Sequence, residues 1–150
     1  MIVEDVMSKS LKTVNPETPM IKVVSMMSLY RLSGLPVVTD TNKLVGFISE
    51  RDVFIKLFPS LEDLMNNQAS INMSEAMSMY KKVIGRKVEA LMTKQVISIA
   101  PDQPILKAAS TMICHKFRRI PVTVGGRLVG MLSLGDVHKA IYMANVTDNA

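Results

Sequence analysis

The stretch Gly46-Phe47-Ile48-Ser49-Glu50-Arg51-Asp52 returns as Gly130-Met131-Leu132-Ser133-Leu134-Gly135-Asp136. In both copies a glycine opens a β-rich run, a serine closes it, and an aspartate follows three residues later where a helix begins. Working outward, Leu44-Val45-Gly46 returns as Leu128-Val129-Gly130, and Pro36-Val37 as Pro121-Val122. Further upstream, Pro16 and Pro19 return as Pro101 and Pro104, Met7 as Met92, and Val3-Glu4 as Val88-Glu89. Residues 3–38 align with 88–123, and 43–56 with 127–140, and 17 of these 50 pairs are identical. The second copy's turn is one residue shorter. Two like units in one chain predict a pseudo-symmetric pair, with a cleft where the halves meet.

Each copy reads in the same order. Val3–Met7 is a lead-in helix. Leu11–Val14 is a short strand ended by Asn15-Pro16. Thr18 is expected to cap a helix with Pro19 at its first position, and Met20, Val23, Val24 and Met27 recur at helical spacing. Leu35–Thr39, the turn Asp40-Thr41-Asn42-Lys43 and Leu44–Ser49 form a hairpin, followed by a helix carrying Val53, Ile55 and Leu57. The second copy gives strand Val96–Ile99, helix Pro104–Lys116 with Ile105, Ala108, Ala109 and Met112 inward, strand Ile120–Val124, the tight turn Gly125-Gly126, strand Leu128–Ser133 and helix Leu134–Met143. Residues 59–87 are unrepeated and read as helical. Asn72 with Glu75 resembles a capping box, followed by an apolar stripe of Met73, Met77, Tyr80 and Ile84. That helix is expected to pack on its own domain, with a dimer contact as the alternative. Lys81, Lys82, Arg86 and Lys87 read as a solvated face.

The chain has 150 residues, 48% of them hydrophobic and 21% charged, which is a globular composition. Its apolar runs fall well short of a membrane span, and the acidic N-terminus is not expected to act as a signal peptide. One cysteine gives no internal disulfide, so the cytoplasm is expected. The net charge of +5 favours anionic partners, whereas three Tyr, four Phe and no Trp poorly supply a stacking surface for single-stranded nucleic acid. The thirteen Met are expected to be core filler.

The Ser-x-x-Asp frame admits two readings. A helix start presents free N–H groups to a phosphate, a serine hydroxyl adds a donor, and a carboxylate can accept both hydroxyls of a ribose. Equally, Ser-x-x-Asp is close to a capping box. Catalysis finds little support. Cys114 and His115 are adjacent on a helix and diverge, and Cys114 is expected to be buried. His115 and His138 have no ligand-like neighbours, so no metal site is expected. No Walker-type loop is present. The chain is therefore read as a non-enzyme.

Two signatures occur twice in the same order. They are Ser33-Gly34-Leu35-Pro36-Val37-Val38 with Leu44–Asp52, and Arg118-Arg119-Ile120-Pro121-Val122 with Leu128–Asp136. In them the chain resembles a tandem pair of cystathionine-β-synthase (CBS) domains, a stand-alone Bateman-type module. The resemblance implies an α+β fold of two pseudo-symmetric repeats, each a lead-in helix then β-α-β-β-α, with small sheets packed together and helices outside. It implies CBS domain 1 at 1–58, a helical connector at 59–87, CBS domain 2 at 88–144 and a tail at 145–150. It further implies clefts for an adenosine-containing ligand (AMP, ADP, ATP or S-adenosylmethionine), a regulatory role, and a disc-shaped homodimer.

Carried over by position, Asp52 and Asp136 hold the ribose, and Ser49 and Ser133 approach phosphate or ribose. Leu35-Pro36-Val37 and Ile120-Pro121-Val122 border the adenine, with Met131 beside the second. Thr13-Val14 and Ser98-Ile99 complete the pockets. The copies differ in cations. Arg51 stands where the second copy has Gly135, and Lys116, Arg118 and Arg119 stand where the first has Arg31, Ser33 and Gly34. The denser cations favour the second cleft. No catalytic or transport domain is expected beside the repeats, so the regulated effector is expected on another chain. Two alternatives stand beside the sensor: a ligand-free dimerisation or docking module, and a basic nucleic-acid binder using Lys81, Lys82, Arg86, Lys87, Lys116, Arg118 and Arg119.

Overall fold

A computed structural model describes residues 1–58 and 72–148. The part of the predicted connector at 59–71 lies outside the described residues. Helices and two small antiparallel sheets alternate: α1 (Val3–Val6), α2 (Met20–Tyr30), β1 (Gly34–Val38), β2 (Leu44–Ser49), α3 (Glu50–Phe54), α4 (Met73–Ile84), α5 (Ile105–His115), β3 (Arg119–Val124), β4 (Arg127–Ser133) and α6 (Leu134–Asp148). Single 3₁₀ turns follow α3 and precede residue 91.

The packed units are not the sequence repeats. One unit comprises Met1–Lys12, Asp40–Leu44 and Val96–Ala150, the other Thr13–Thr39 and Val45–Gln95. Each lead-in segment thus packs with the other copy's hairpin. In the first unit Val3 is fully buried among Ile99, Ile105, Ala108, Met112, Ile120, Val122, Leu132 and Val137. In the second, Val88 takes the same place among Val14, Met20, Val23, Met27, Leu35, Val37, Ile48 and Val53. Backbone pairing fixes the arrangement. Ser8 and Met131 exchange hydrogen bonds of 2.8 and 3.0 Å, as Thr93 and Phe47 do at 2.9 Å each. The segment approaches so closely that a Cβ on Gly130 would lie 2.5 Å from Met7 Sδ and 3.1 Å from the Ser8 carbonyl. A Cβ on Gly46 would likewise meet Met92 Sδ and the Thr93 carbonyl at 2.6 and 3.0 Å. The repeated glycine is a packing requirement.

The predicted first strand of each copy contracts to one parallel bridge, Val14 with Val37 and Ile99 with Val122. Proline is the reason. Val14 N–H donates to the Pro36 carbonyl and Val38 N–H to the Val14 carbonyl. Extending that ladder in either direction needs an N–H from Pro36 or Pro16, and neither has one. Pro101 and Pro121 block the second copy identically. Each sheet is therefore two-stranded.

Thr18 does not cap α2. Its hydroxyl accepts from Asn15 N–H at 3.0 Å and closes the preceding turn, leaving Pro19 at the helix boundary without a side-chain cap. The α2 and α5 helices end alike. Arg31 and Lys116 adopt left-handed backbone (φ 54° and 60°), and the next N–H bonds back to Met27 and Met112. Gly125 and Gly126 both have positive φ, as a tight β3–β4 turn requires. In β3–β4, Arg119 pairs with Ser133 and Pro121 with Met131, and the register shifts after Val122.

Three further expectations change. Cys114 is exposed, because the buried face of α5 runs through Ile105, Ala108 and Met112 and residue 114 points away from it. On α4, Asn72 does cap, accepting from Glu75 N–H at 3.2 Å. The stripe is rotated, however: Met73 and Met77 are exposed, and the helix packs through Tyr80 and the buried Val83. Helix α6 continues past Met143 to Asp148. Lys81, Lys82, Arg86 and Lys87 are exposed. Among the described residues, no helix is long and apolar enough to cross a membrane.

Candidate functional site

Each hairpin ends at a serine that starts a helix. At the second hairpin, Ser133 N–H donates to Asp136 Oδ2 (3.1 Å) and Asp136 N–H to Ser133 Oγ (3.0 Å). At the first, Ser49 N–H and its hydroxyl both donate to Asp52 Oδ2 (2.8 and 3.0 Å), while Asp52 N–H reaches Ser49 Oγ at 3.4 Å. These are reciprocal capping boxes, and they satisfy backbone donors that the helix start would otherwise leave open. Capping and ligand contact are compatible. Only Oδ2 of each carboxylate is engaged, and among the described residues Oδ1 has no hydrogen-bond partner. A carboxylate has about four acceptor sites, so each aspartate can cap its helix and still accept from a sugar hydroxyl.

The surroundings divide into buried frame and accessible rim. Leu35, Val37, Ile120 and Val122 are core side chains with 0–1% exposure, so any ligand would meet their backbone rather than their side chains. Pro36 and Pro121 are buried beside them, and their carbonyls accept from Val14 and Ile99 N–H (3.1 and 3.0 Å). Val14 and Ile99 are themselves buried, and Thr13 is half-buried. Ser98 is exposed, but its hydroxyl shares a 3.0 Å hydrogen bond with Thr123 Oγ1. Ser49, Asp52, Met131, Ser133 and Asp136 are half-buried, and Arg51, Arg118 and Arg119 are exposed.

The structure brings Arg118 and Arg119 to the Ser133 helix start. The Arg118 carbonyl accepts from Leu134 N–H at 2.9 Å, and Arg119 lies opposite Ser133 in the sheet. The equivalent bond in the other unit joins Glu50 N–H to the Ser33 carbonyl (2.9 Å), so the backbone is the same and the side chains differ.

Two neighbours went unnoticed in the sequence. The ring of Phe47 lies over Gly34, and a Cβ there would sit 2.5 Å from its Cε1. Lys139 shares with Asp136 an open groove of about 500 Å³ that runs along α6 past Asp5 and Thr147. The i,i+3 spacing of Asp136 and Lys139 could have flagged that pair. A second groove of about 250 Å³ is lined by Val24, Met27, Glu50, Phe54 and Tyr80. Among the described residues no cluster of three or more His, Cys, Asp or Glu could hold a metal.

Comparison with known proteins agrees with this geometry. The model of the CBS domain matches residues 3–58 and again 88–143. An uncharacterized protein of Methanocaldococcus jannaschii, MJ1426, is 30% identical over 154 residues, covering 94% of this chain and 91% of that one. The inosine-5'-monophosphate dehydrogenase of the same organism is 29% identical over 91% of this chain, which spans only 23% of the enzyme. The structure of Arabidopsis thaliana CBSX2 in complex with AMP superposes with a TM-score of 0.73 at 28% identity, covering 96% of this chain and 98% of that one. Two matched repeats, built around paired hairpins with capped helix starts, make this chain a member of the CBS-domain family.

Proposed function

We propose that the chain is a regulatory module that binds an adenosine-containing ligand at its hairpin ends and performs no chemistry on it. AMP, ADP, ATP and S-adenosylmethionine are the candidates. The observation that carries this reading is Oδ1 of Asp52 and Asp136, which has no hydrogen-bond partner among the described residues while each carboxylate is held in place by its own capping box. Family membership and the AMP complex of CBSX2 support it. Asp52 and Asp136 accept ribose hydroxyls, Ser49 and Ser133 lie beside them, Arg118 and Arg119 supply cations for phosphate at the second end, and Arg51 borders the first. Thr13-Val14 with Leu35-Pro36-Val37, and Ser98-Ile99 with Ile120-Pro121-Val122 and Met131, form the adenine border through backbone and rim atoms.

Binding regulates only if the ligand prefers one conformation of the module over another. The output passes to an effector protein, and the module acts as a homodimer. Large exposed apolar side chains on its helices, among them Leu29 (72%), Ile113 (66%), Leu106 (63%) and Phe54 (55%), favour self-association. Sedimentation of the free chain at micromolar concentration tests that part.

The binding reading is tested by thermal shift with AMP, ADP, ATP and S-adenosylmethionine, followed by calorimetry. A ligand that binds only the native state raises the melting temperature. Asp136→Ala should weaken binding by about 1.5–3 kcal/mol, the value of a hydrogen bond to a charged acceptor. Unchanged affinity in both Asp136→Ala and Asp52→Ala would remove the ribose assignment. A failure of all four ligands, with steeply salt-dependent RNA or DNA binding instead, would favour the basic nucleic-acid binder.

A further inference from the structure

We infer that the two hairpin ends select ligands of different charge. The Ser133–Asp136 end takes a 5'-phosphorylated adenosine, and the Ser49–Asp52 end takes an adenosine ligand without phosphate. The inference rests on the reading above and adds which class of ligand each end accepts.

The selecting feature is the pair of residues on the strand facing the serine. At the second end these are Arg118 and Arg119. Both are exposed, neither has an ion-pair partner among the described residues, and both are fixed by backbone at the first turn of α6. With Asp136 they leave one net positive charge, and Leu134 and Gly135 add none. A dianionic phosphate placed there meets two forked donors.

At the first end the same backbone positions carry Ser33 and Gly34. Gly34 is buried beneath the Phe47 ring, whose Cε1 and Cζ lie 2.5 and 2.9 Å from where a Cβ would stand. No side chain can be placed at residue 34 until that ring moves. Phe47 thus takes the place of a side chain at residue 34, whereas the second copy has Arg119 there and the half-buried Met131 in the position of Phe47. Glu50, exposed, replaces Leu134. Glu50 and Asp52 against Arg51 leave one net negative charge, and an apolar ring in place of a guanidinium. That combination disfavours phosphate and suits an uncharged or cationic 5' substituent.

Calorimetry on the full chain with AMP and adenosine as probes tests this. In Asp52→Asn, where the second end alone is intact, AMP should bind about tenfold or more tighter than adenosine. In Asp136→Asn, adenosine should bind at least as tightly as AMP. Arg119→Ser, an exposed substitution that leaves both caps untouched, should remove most of the AMP advantage and leave adenosine affinity unchanged. Equal loss of both probes in Arg119→Ser would mean the residue acts only structurally, and would overturn the inference alone. So would an Asp136→Asn chain that still prefers AMP. If the unaltered chain binds neither probe, the functional reading fails and the inference with it.

Discussion

The Ser49–Asp52 and Ser133–Asp136 ends share a backbone and differ in what it carries. Both close a strand with serine, cap the next helix with aspartate, and tie its first N–H to the carbonyl of residue 33 or 118. One is then dressed with an aromatic ring and an extra acid, the other with two arginines. The repeated residues are the ones that capping and close packing require. The residues that drifted are the ones to which we assign ligand preference. The Ser-x-x-Asp frame alone therefore cannot distinguish a sensor from a well-capped hairpin, because one carboxylate oxygen does the capping and the other has no hydrogen-bond partner among the described residues.

The symmetric part of the comparison is tested hardest by core truncation. Leu35→Ala and Ile120→Ala remove equivalent side chains that are 1% and 0% exposed. Each should cost about 2–5 kcal/mol in denaturant unfolding. If one proved nearly neutral, the two cores would not be equivalent. The asymmetric part is tested by Gly34→Ala. It forces the Phe47 ring aside and crowds the Ile48 carbonyl at 3.2 Å, so a loss of about 1–3 kcal/mol is expected. Combining it with Phe47→Met should recover part of that loss, and no recovery would break the Gly34–Phe47 coupling.

The turns differ too. Gly126→Ala places a Cβ at φ 80° with nothing within 4 Å, so its cost of about 1–2 kcal/mol should be purely conformational. Gly126→Asn should be milder, since asparagine tolerates that region. The smallest effects separate the caps. Ser133→Ala should cost about 1 kcal/mol. Ser49→Ala should cost at least as much, about 1–2 kcal/mol, because its accepted N–H bond is longer (3.4 Å rather than 3.0 Å) but its hydroxyl also donates to Asp52 Oδ2 at 3.0 Å. A clearly smaller loss than in Ser133→Ala by thermal unfolding would show that the hydroxyl bond to the carboxylate adds nothing.

The sequence displayed much of this protein directly. Spacing of Met20, Val23 and Met27, and of Ile105, Ala108 and Met112, gave the buried faces of α2 and α5, because a helix repeats its face every three to four residues. Gly125-Gly126 gave the second hairpin. The seven-residue frame gave both helix starts, because capping is local chemistry between residues three apart.

What sequence position left open was settled by partners distant in the chain. Pro16 and Pro36 cut a predicted strand to one bridge only because the fold pairs Val14 with Val37 and so sets one proline at each end of the ladder. Cys114 and Met77 read as apolar and interior, yet helix rotation turns them outward. The lead-in segments pack with the opposite repeat, which no local pattern reveals, since Val3 and Val88 would look equally buried in either core. Propensity and capping act over a few residues and can be read along the chain. Burial, ladder extension and the covering of Gly34 by Phe47 depend on which surfaces meet in three dimensions.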